Sequence, residues 1–189
     1  MQMPHAIIKL TLELIKSAKG RCFVLFTSYR MMHLVAEGLT TQMDYPVYMQ
    51  GQMSKRIILE KFTRHGNAVL LGTASFWEGV DVRGSTLSCV IIDKLPFAAP
   101  DDPLLQAKMQ DCQMQGKDPF AHIQLPQAVI ALKQGVGRLI RDNKDKGVLV
   151  ICDNRLVTRQ YGQVFLKSLP PMRRTRSLED ANTFLKHIN

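Results

Sequence analysis

Cys22-Phe23-Val24-Leu25-Phe26, followed by Thr27-Ser28-Tyr29, is an apolar run of strand length closed by a hydroxyl-rich turn. No polar position alternates within it, so neither face is meant for water. That pattern suits a strand buried on both sides of a parallel sheet. Ala68-Val69-Leu70-Leu71, Leu87 to Ile92 and Val148 to Cys152 read the same way, with Pro46-Val47-Tyr48-Met49 as a shorter strand. Helices are predicted around them. The first runs from Pro4 to Ala18 on Ile7, Ile8, Leu10, Leu14 and Ile15, and Lys19-Gly20 ends it. Others follow over Tyr29 to Gly38 behind a Ser28 cap, Ser54 to Arg64, Pro103 to Gln113, Leu125 to Arg141 and Thr158 to Ser168. Pro170-Pro171 breaks the chain, and Ser177 with Asp180 forms a capping box for a last helix reaching His187.

Strands alternating with helices imply an α/β fold, a largely parallel sheet covered on both faces. Ligands of such sheets sit beyond the carboxyl ends of the strands. Thr27-Ser28-Tyr29, Gly72-Thr73, Asp93 and Asp153 are therefore expected on the working edge.

The chain has 189 residues, enough for one domain with a substantial core. Its net charge of +9 favours an anionic partner, most simply nucleic acid, over a basic surface that binds nothing. Cys22, Cys89, Cys112 and Cys152 are scattered, so there is no CxxC metal knuckle and no metal site is expected in this chain. Cysteines within strands act as small hydrophobes, which fits a reducing cytoplasm. No apolar run is long enough to span a bilayer, and no secretory signal is visible. Met1-Gln2-Met3-Pro4-His5 leads straight into a helical pattern and reads as a cut end of a longer protein.

Gln134-Gly135-Val136-Gly137-Arg138-Leu139-Ile140-Arg141 carries the chemistry. On a continuous helix, at roughly 100° per residue, Gln134, Arg138 and Arg141 share an arc of about 60°. Val136, Leu139 and Ile140 take the other side. Fixed guanidinium groups suit a nucleotide phosphate, and interior glycines suggest close approach of a ligand or backbone. A second segment, Gly72 to Gly84, follows a strand and holds Glu78 and Asp81 between glycines. Its carboxylates can accept from ribose hydroxyls or brace an arginine. Phe76, Trp77 and Phe97 read as packing residues at least as well as base-stacking ones. The basic run Arg173-Arg174-x-Arg176 reads as a solvated segment that adds phosphate contacts or docks a partner.

Taken in order, Phe26-Thr27-Ser28-Tyr29, Gln50-Gly51, Gly72-Thr73, Ser75-Phe76-Trp77-Glu78-Gly79-Val80-Asp81, Lys94-Leu95-Pro96-Phe97 and the arginine segment resemble the second RecA-like domain of superfamily 2 helicases. The local wording is similar to the XPD/DinG iron-sulfur DNA helicases, over about residues 5 to 187. The resemblance implies a RecA-like three-layer αβα fold over 1–189, with 170–189 as a basic extension ending in a helix. It implies that Arg141 and Arg138 reach the γ-phosphate of ATP and that Gln134 orients the phosphate or its attacking water. Glu78, Gly79, Asp81 and Gly137 would serve the nucleotide side, and Thr27, Ser28, Tyr29, Thr73 and Ser75 would face DNA.

Three family features are missing from this sequence: a GxxxxGK[ST] phosphate loop, a DEAH-type acidic box for Mg2+ and a four-cysteine insertion for a 4Fe-4S cluster. All belong to the family's first RecA-like domain. The expected function is thus the C-terminal motor half of a 5′-to-3′ DNA helicase of repair or replication, silent toward ATP by itself. Its expected partners are single-stranded DNA, the first RecA-like domain and a replication or repair protein, in the bacterial cytoplasm at the nucleoid. Two alternatives are a protein-docking module that recruits such a partner and one half of an RNA helicase.

Overall fold

A computed structural model describes residues 3–73, 76, 82, 86–140 and 144–189. Five parallel strands form one sheet in the order β2-β3-β1-β4-β5: β1 Cys22–Phe26, β2 Val47–Met49, β3 Val69–Thr73, β4 Cys89–Ile92 and β5 Val148–Ile151. Central β1 pairs in register with β3 on one side, Cys22 opposite Val69, and with β4 on the other, Cys22 opposite Cys89. Every residue of β1, β3 and β4 is buried, as an unbroken apolar run requires.

Strand alternation sends the two halves of each run to different cores. Phe23, Leu25, Leu70, Val90 and Ile92 face one side. There they meet Ile58 and Phe62 of α3 (Lys55–His65), Ala128 and Leu132 of α5 (Leu125–Val136), and Phe165 of α7 (Gly162–Ser168). Cys22, Val24, Phe26, Leu71 and Ile91 face the other. That face is covered by Leu14 and Ile15 of α1 (Met3–Ser17), Met32, Val35 and Leu39 of α2 (Tyr29–Thr40), and Leu185 of α8 (Leu178–Ile188). Each such burial stabilises by about 1.5–3 kcal/mol, so the three layers hold one another. The remaining helices are α4 (Pro103–Met114) and a single turn, α6 (Arg155–Thr158).

Strand β2 is an edge, and it is blunted. Gln52 Oε1 accepts from the Met49 N–H at 3.0 Å while the Gln52 N–H donates to the Met49 carbonyl at 3.2 Å. Both polar groups of that residue are thereby closed to strand addition.

Two elements depart from the sequence reading. The helix expected over Thr158 to Ser168 begins only at Gly162, as α7, after a separate turn, α6; at the corner between them a side chain on Gly162 would meet the Leu156 carbonyl oxygen. The helix expected from Leu125 to Arg141 ends at Val136 and is preceded by a wider π-helical stretch, Phe120–Gln124. The last helix begins as expected: Ser177 Oγ accepts from the Asp180 N–H at 3.1 Å. The return half of the box passes through Thr175, whose hydroxyl donates to Asp180 Oδ2 and accepts from the Ser177 N–H. Ala181 and Leu185 then bury α8 against α1 and β5.

Candidate functional site

Two groups of polar residues stand at opposite edges of the sheet. The first collects at the carboxyl ends. Thr27, Ser28 and Tyr29 leave β1 together and are all exposed. Ser28 spends its Oγ on capping α2, accepting from the Met31 N–H at 3.3 Å. The Thr27 N–H donates to Asp93 Oδ1 at 3.0 Å, which ties the end of β1 to the end of β4. Gln50, just past β2, reaches the other way. Its Oε1 accepts from the Thr73 N–H at 2.7 Å and the Thr73 hydroxyl at 2.9 Å, and its Nε2 donates to the Tyr29 phenol oxygen at 2.8 Å. One amide side chain thus joins three strand ends.

The two aspartates on this edge hold loops. Asp93 is 2% exposed and its Oδ2 has no hydrogen-bond partner among the described residues. Burial pushes its carboxyl up to about 6, against the opposing pull of the Thr27 and Lys94 N–H groups and the Lys94 charge. Asp153 is the converse case. Burial works to raise its pKa, but hydrogen bonds from the Arg155 guanidinium and the Leu95 and Arg155 N–H groups prevail and hold it below the usual carboxylate range. Arg155 Nη2 donates to Asp153 Oδ2 at 2.6 Å, and the Leu95 N–H donates to the same oxygen at 2.9 Å. Arg155 also lies over the Phe97 ring, 5.4 Å from its centroid. Phe97 packs on Phe120, Tyr161 and Phe165 with centroids 5.7–5.8 Å away. The Leu95-Pro96-Phe97 loop is therefore pinned from beneath, with Phe97 as an apolar plug. Phe76 is likewise packed, edge-on to Phe23 at 6.3 Å. Burial and the nearby Asp93 push the Cys152 thiol up to about 12, so it stays uncharged.

The second group is the arginine turn. Gly137 caps α5 with φ −61° and ψ −9°, and its N–H donates to the Lys133 and Gly135 carbonyls. The bonds then tighten to three-residue spacing, Arg138 N–H to Gly135 O at 3.2 Å and Leu139 N–H to Val136 O at 2.9 Å. A regular helix therefore does not continue from Gln134 through Arg138, although the Ile140 N–H still reaches back to the Val136 carbonyl at 3.2 Å. Two glycines in three residues, each costing about 1 kcal/mol of helix propensity, end the helix one turn early. Gly137 has no left-handed φ to demand glycine, and a side chain there would meet the Lys133 carbonyl at 3.3 Å. Gln134 is exposed and Arg138 half-buried. The Arg138 Nε is buried and has no hydrogen-bond partner among the described residues. Arg141, Ser75, Glu78, Gly79 and Asp81 lie outside the described residues.

The arginine turn does not share the edge of the first group. Leu139 packs so close to Gly147, the residue before β5, that a Cβ there would lie 2.5 Å from Leu139 Cδ1 and 3.0 Å from the Ser88 carbonyl before β4. These are the amino ends of the strands. A crossover helix returns against the strand direction, so a turn that ends it must land there. Strands of four or five residues at about 3.3 Å each put the two polar groups roughly 15 Å apart across the sheet. The chain from Thr73 to Cys89 makes the same journey, from the carboxyl edge of β3 to the amino edge of β4.

Gln50 is the residue whose importance the sequence hid. The signal available was a glutamine directly after a strand, beside a neighbour ending in Gly72-Thr73. Among the described residues no three His, Cys, Asp or Glu side chains gather as a metal ion would need. Cys22 and Cys89 are register partners within the sheet and hold no bridge.

Comparisons with known proteins bear on the family and the fold. The helicase C-terminal domain model matches residues 11–172. The ATP-dependent DNA helicase YoaA of Escherichia coli is 61% identical over 172 residues, covering 91% of this chain and 27% of that protein. YoaA of Haemophilus influenzae is 55% identical over 187 residues, 99% of this chain and 29% of that protein. The ATP-dependent helicase DinG of Mycobacterium tuberculosis is 39% identical over 176 residues, 93% of this chain and 26% of that protein. The chain thus spans little more than a quarter of these relatives. A solved structure named XPD_Helicase superposes with a TM-score of 0.68 at 23% identity, over 87% of this chain and 30% of that one. The Xpd4 structure of S. tokodaii gives 0.60 at 20%, over 86% and 32%. The fold is accordingly the RecA-like three-layer αβα arrangement.

Proposed function

The chain belongs to the helicase C-terminal domain family, and from that premise we propose that it is the second RecA-like motor domain of an ATP-dependent 5′-to-3′ DNA helicase of repair or replication. The observation that carries the reading is the separation of two polar groups onto opposite edges of one rigid sheet. A motor needs a nucleotide side and a strand side that cannot blur into each other.

On the amino edge, Arg138 offers a buried guanidinium N–H with no partner among the described residues, which fits an anionic acceptor supplied by a neighbouring domain. Arg141, three residues on, joins it on the γ-phosphate of ATP, and exposed Gln134 orients the phosphate or the attacking water. A fixed, permanently charged fork there stabilises charge that grows during phosphoryl transfer. Glu78, Gly79 and Asp81 lie on the segment that crosses from one edge to the other, so they serve the nucleotide side while Thr73 and Ser75 serve the strand. Gly137 lets the nucleotide side approach the turn closely. On the carboxyl edge, the exposed residues Thr27, Ser28 and Tyr29 contact the backbone of single-stranded DNA, while Thr73, buried and with its N–H and hydroxyl both donated to Gln50, shapes that edge from beneath. Closure of the two RecA-like domains on ATP and its release by hydrolysis then shift the grip along the strand. ATP and Mg2+ are held chiefly by the first domain, which in this family also carries the 4Fe-4S cluster, in the bacterial cytoplasm. The exposed arginines Arg173 and Arg176 are the surface we assign to a replication or repair partner.

Binding of this chain to single-stranded DNA tests the strand side. Affinity should fall steeply as salt rises, since each neutralised phosphate contributes about −0.7 to the slope of log K against log salt. Salt-insensitive binding would remove the phosphate-tracking groove.

A further inference from the structure

We infer that Gln50 is a positioning residue for the strand-gripping edge: its side chain is the latch that makes the β1 and β3 loops one surface. This rests on the proposed DNA reading of Tyr29 and Thr73 and adds to it a residue that touches both. The geometry is specific. The amide oxygen takes two donors from Thr73, at 2.7 and 2.9 Å, which leaves its nitrogen to face Tyr29 at 2.8 Å. No other residue type does this at that length: a carboxylate has no N–H, and asparagine is one methylene short. The hydroxyl of Tyr29 is otherwise on the surface, for the residue is 55% exposed. Its angle to the strand is therefore set by Gln50 and by little else. Gln50 is half-buried and its own N–H donates to the Leu71 carbonyl at 2.9 Å, so the latch is itself anchored to the sheet. A strand that touches both loops meets a preorganised pair, and the ordering cost is met before binding.

The test uses this chain, a fluorescein-labelled oligo(dT) strand at low salt, and the variants Gln50→Ala, Tyr29→Phe and the double. Amide exchange at Thr73 is read in parallel without DNA. We expect Gln50→Ala to weaken binding about tenfold and Tyr29→Phe by a smaller factor, since the first removes all three side-chain hydrogen bonds of the latch and the second only one. The double variant should lose less than the two single losses combined, because both changes break the same Gln50–Tyr29 hydrogen bond. Tyr29→Phe should leave the melting temperature unchanged, which a merely structural role for the pair would not. Thr73 exchange should quicken in Gln50→Ala while Val24 and Ile91 stay protected. If wild type binds but the two effects add, or Gln50→Ala binds normally, the latch is overturned and the DNA reading survives. If wild type ignores the strand, the DNA reading fails and takes the purpose of the latch with it, whatever Thr73 exchange reports.

Discussion

Asp93→Asn isolates a carboxylate that this fold buries at the carboxyl ends of the strands with one oxygen, Oδ2, unpartnered among the described residues. Asn keeps an oxygen for the Thr27 N–H, so the link between β1 and β4 survives, but the group no longer ionises. The native carboxyl titrates at about 6 and the unfolded one at 3.8. Between those values the folded chain holds a proton that the unfolded chain has released, so stability falls as pH rises through the window. Below it both states are protonated, and above about 6 the folded chain carries a buried charge. A gap of about 2 units is worth about 3 kcal/mol in full, and about 1.4 kcal/mol of it lies between pH 5 and pH 8. Placing an Asn N–H where Oδ2 has no partner carries its own cost, about 1–3 kcal/mol, but that cost does not change with pH. The quantity to measure is therefore the difference between wild type and variant in urea unfolding free energy, at pH 5 and at pH 8. We expect the variant to gain about 1.4 kcal/mol on wild type across that range. Parallel profiles would mean that Asp93 ionises as freely when folded as when unfolded, and the account of this edge would be wrong.

Gly162→Ala should destabilise the chain by about 1–3 kcal/mol in the same unfolding assay, as expected for overpacking against backbone. Its Cβ has no room beside the Leu156 carbonyl; a neutral result would mean that the α6–α7 corner opens without cost. Purified wild-type chain should show no DNA-stimulated ATP hydrolysis, because its sequence has no phosphate loop. Robust turnover would contradict the division of labour between two domains.

The sheet was readable because its central strands are buried on both faces. Cys22 to Phe26 has no polar interruption, and a chain of that kind has one place to go. The carboxyl-edge residues followed from topology, so Thr27, Ser28, Tyr29, Thr73, Asp93 and Asp153 were placed correctly without coordinates. Their pairings were not readable. That Asp153 is spent on Arg155 and Leu95, or that Gln50 holds Thr73 and Tyr29, depends on distances between strands far apart in sequence. The end of α5 was misread because the apolar spacing of Leu132, Val136, Leu139 and Ile140 continues past the point where two glycines stop the helix. Periodicity reports which side is buried, and a tightened turn buries Leu139 as well as a helix would. The corner at Gly162, where the chain turns back onto the Leu156 carbonyl six residues earlier, leaves no mark in the apolar spacing.

The central claim is that cations on the amino edge complete an ATPase whose other half lies on a partner domain, while the carboxyl edge holds the strand. The direct measurement is DNA-stimulated ATP hydrolysis by the full-length protein carrying Arg141→Ala, alongside its affinity for single-stranded DNA. The account predicts a fall in turnover of about 10³–10⁵, the scale of an arginine finger, with strand affinity within a few-fold of wild type. Near-normal hydrolysis, or a loss of strand binding that matches the loss of turnover, would contradict it.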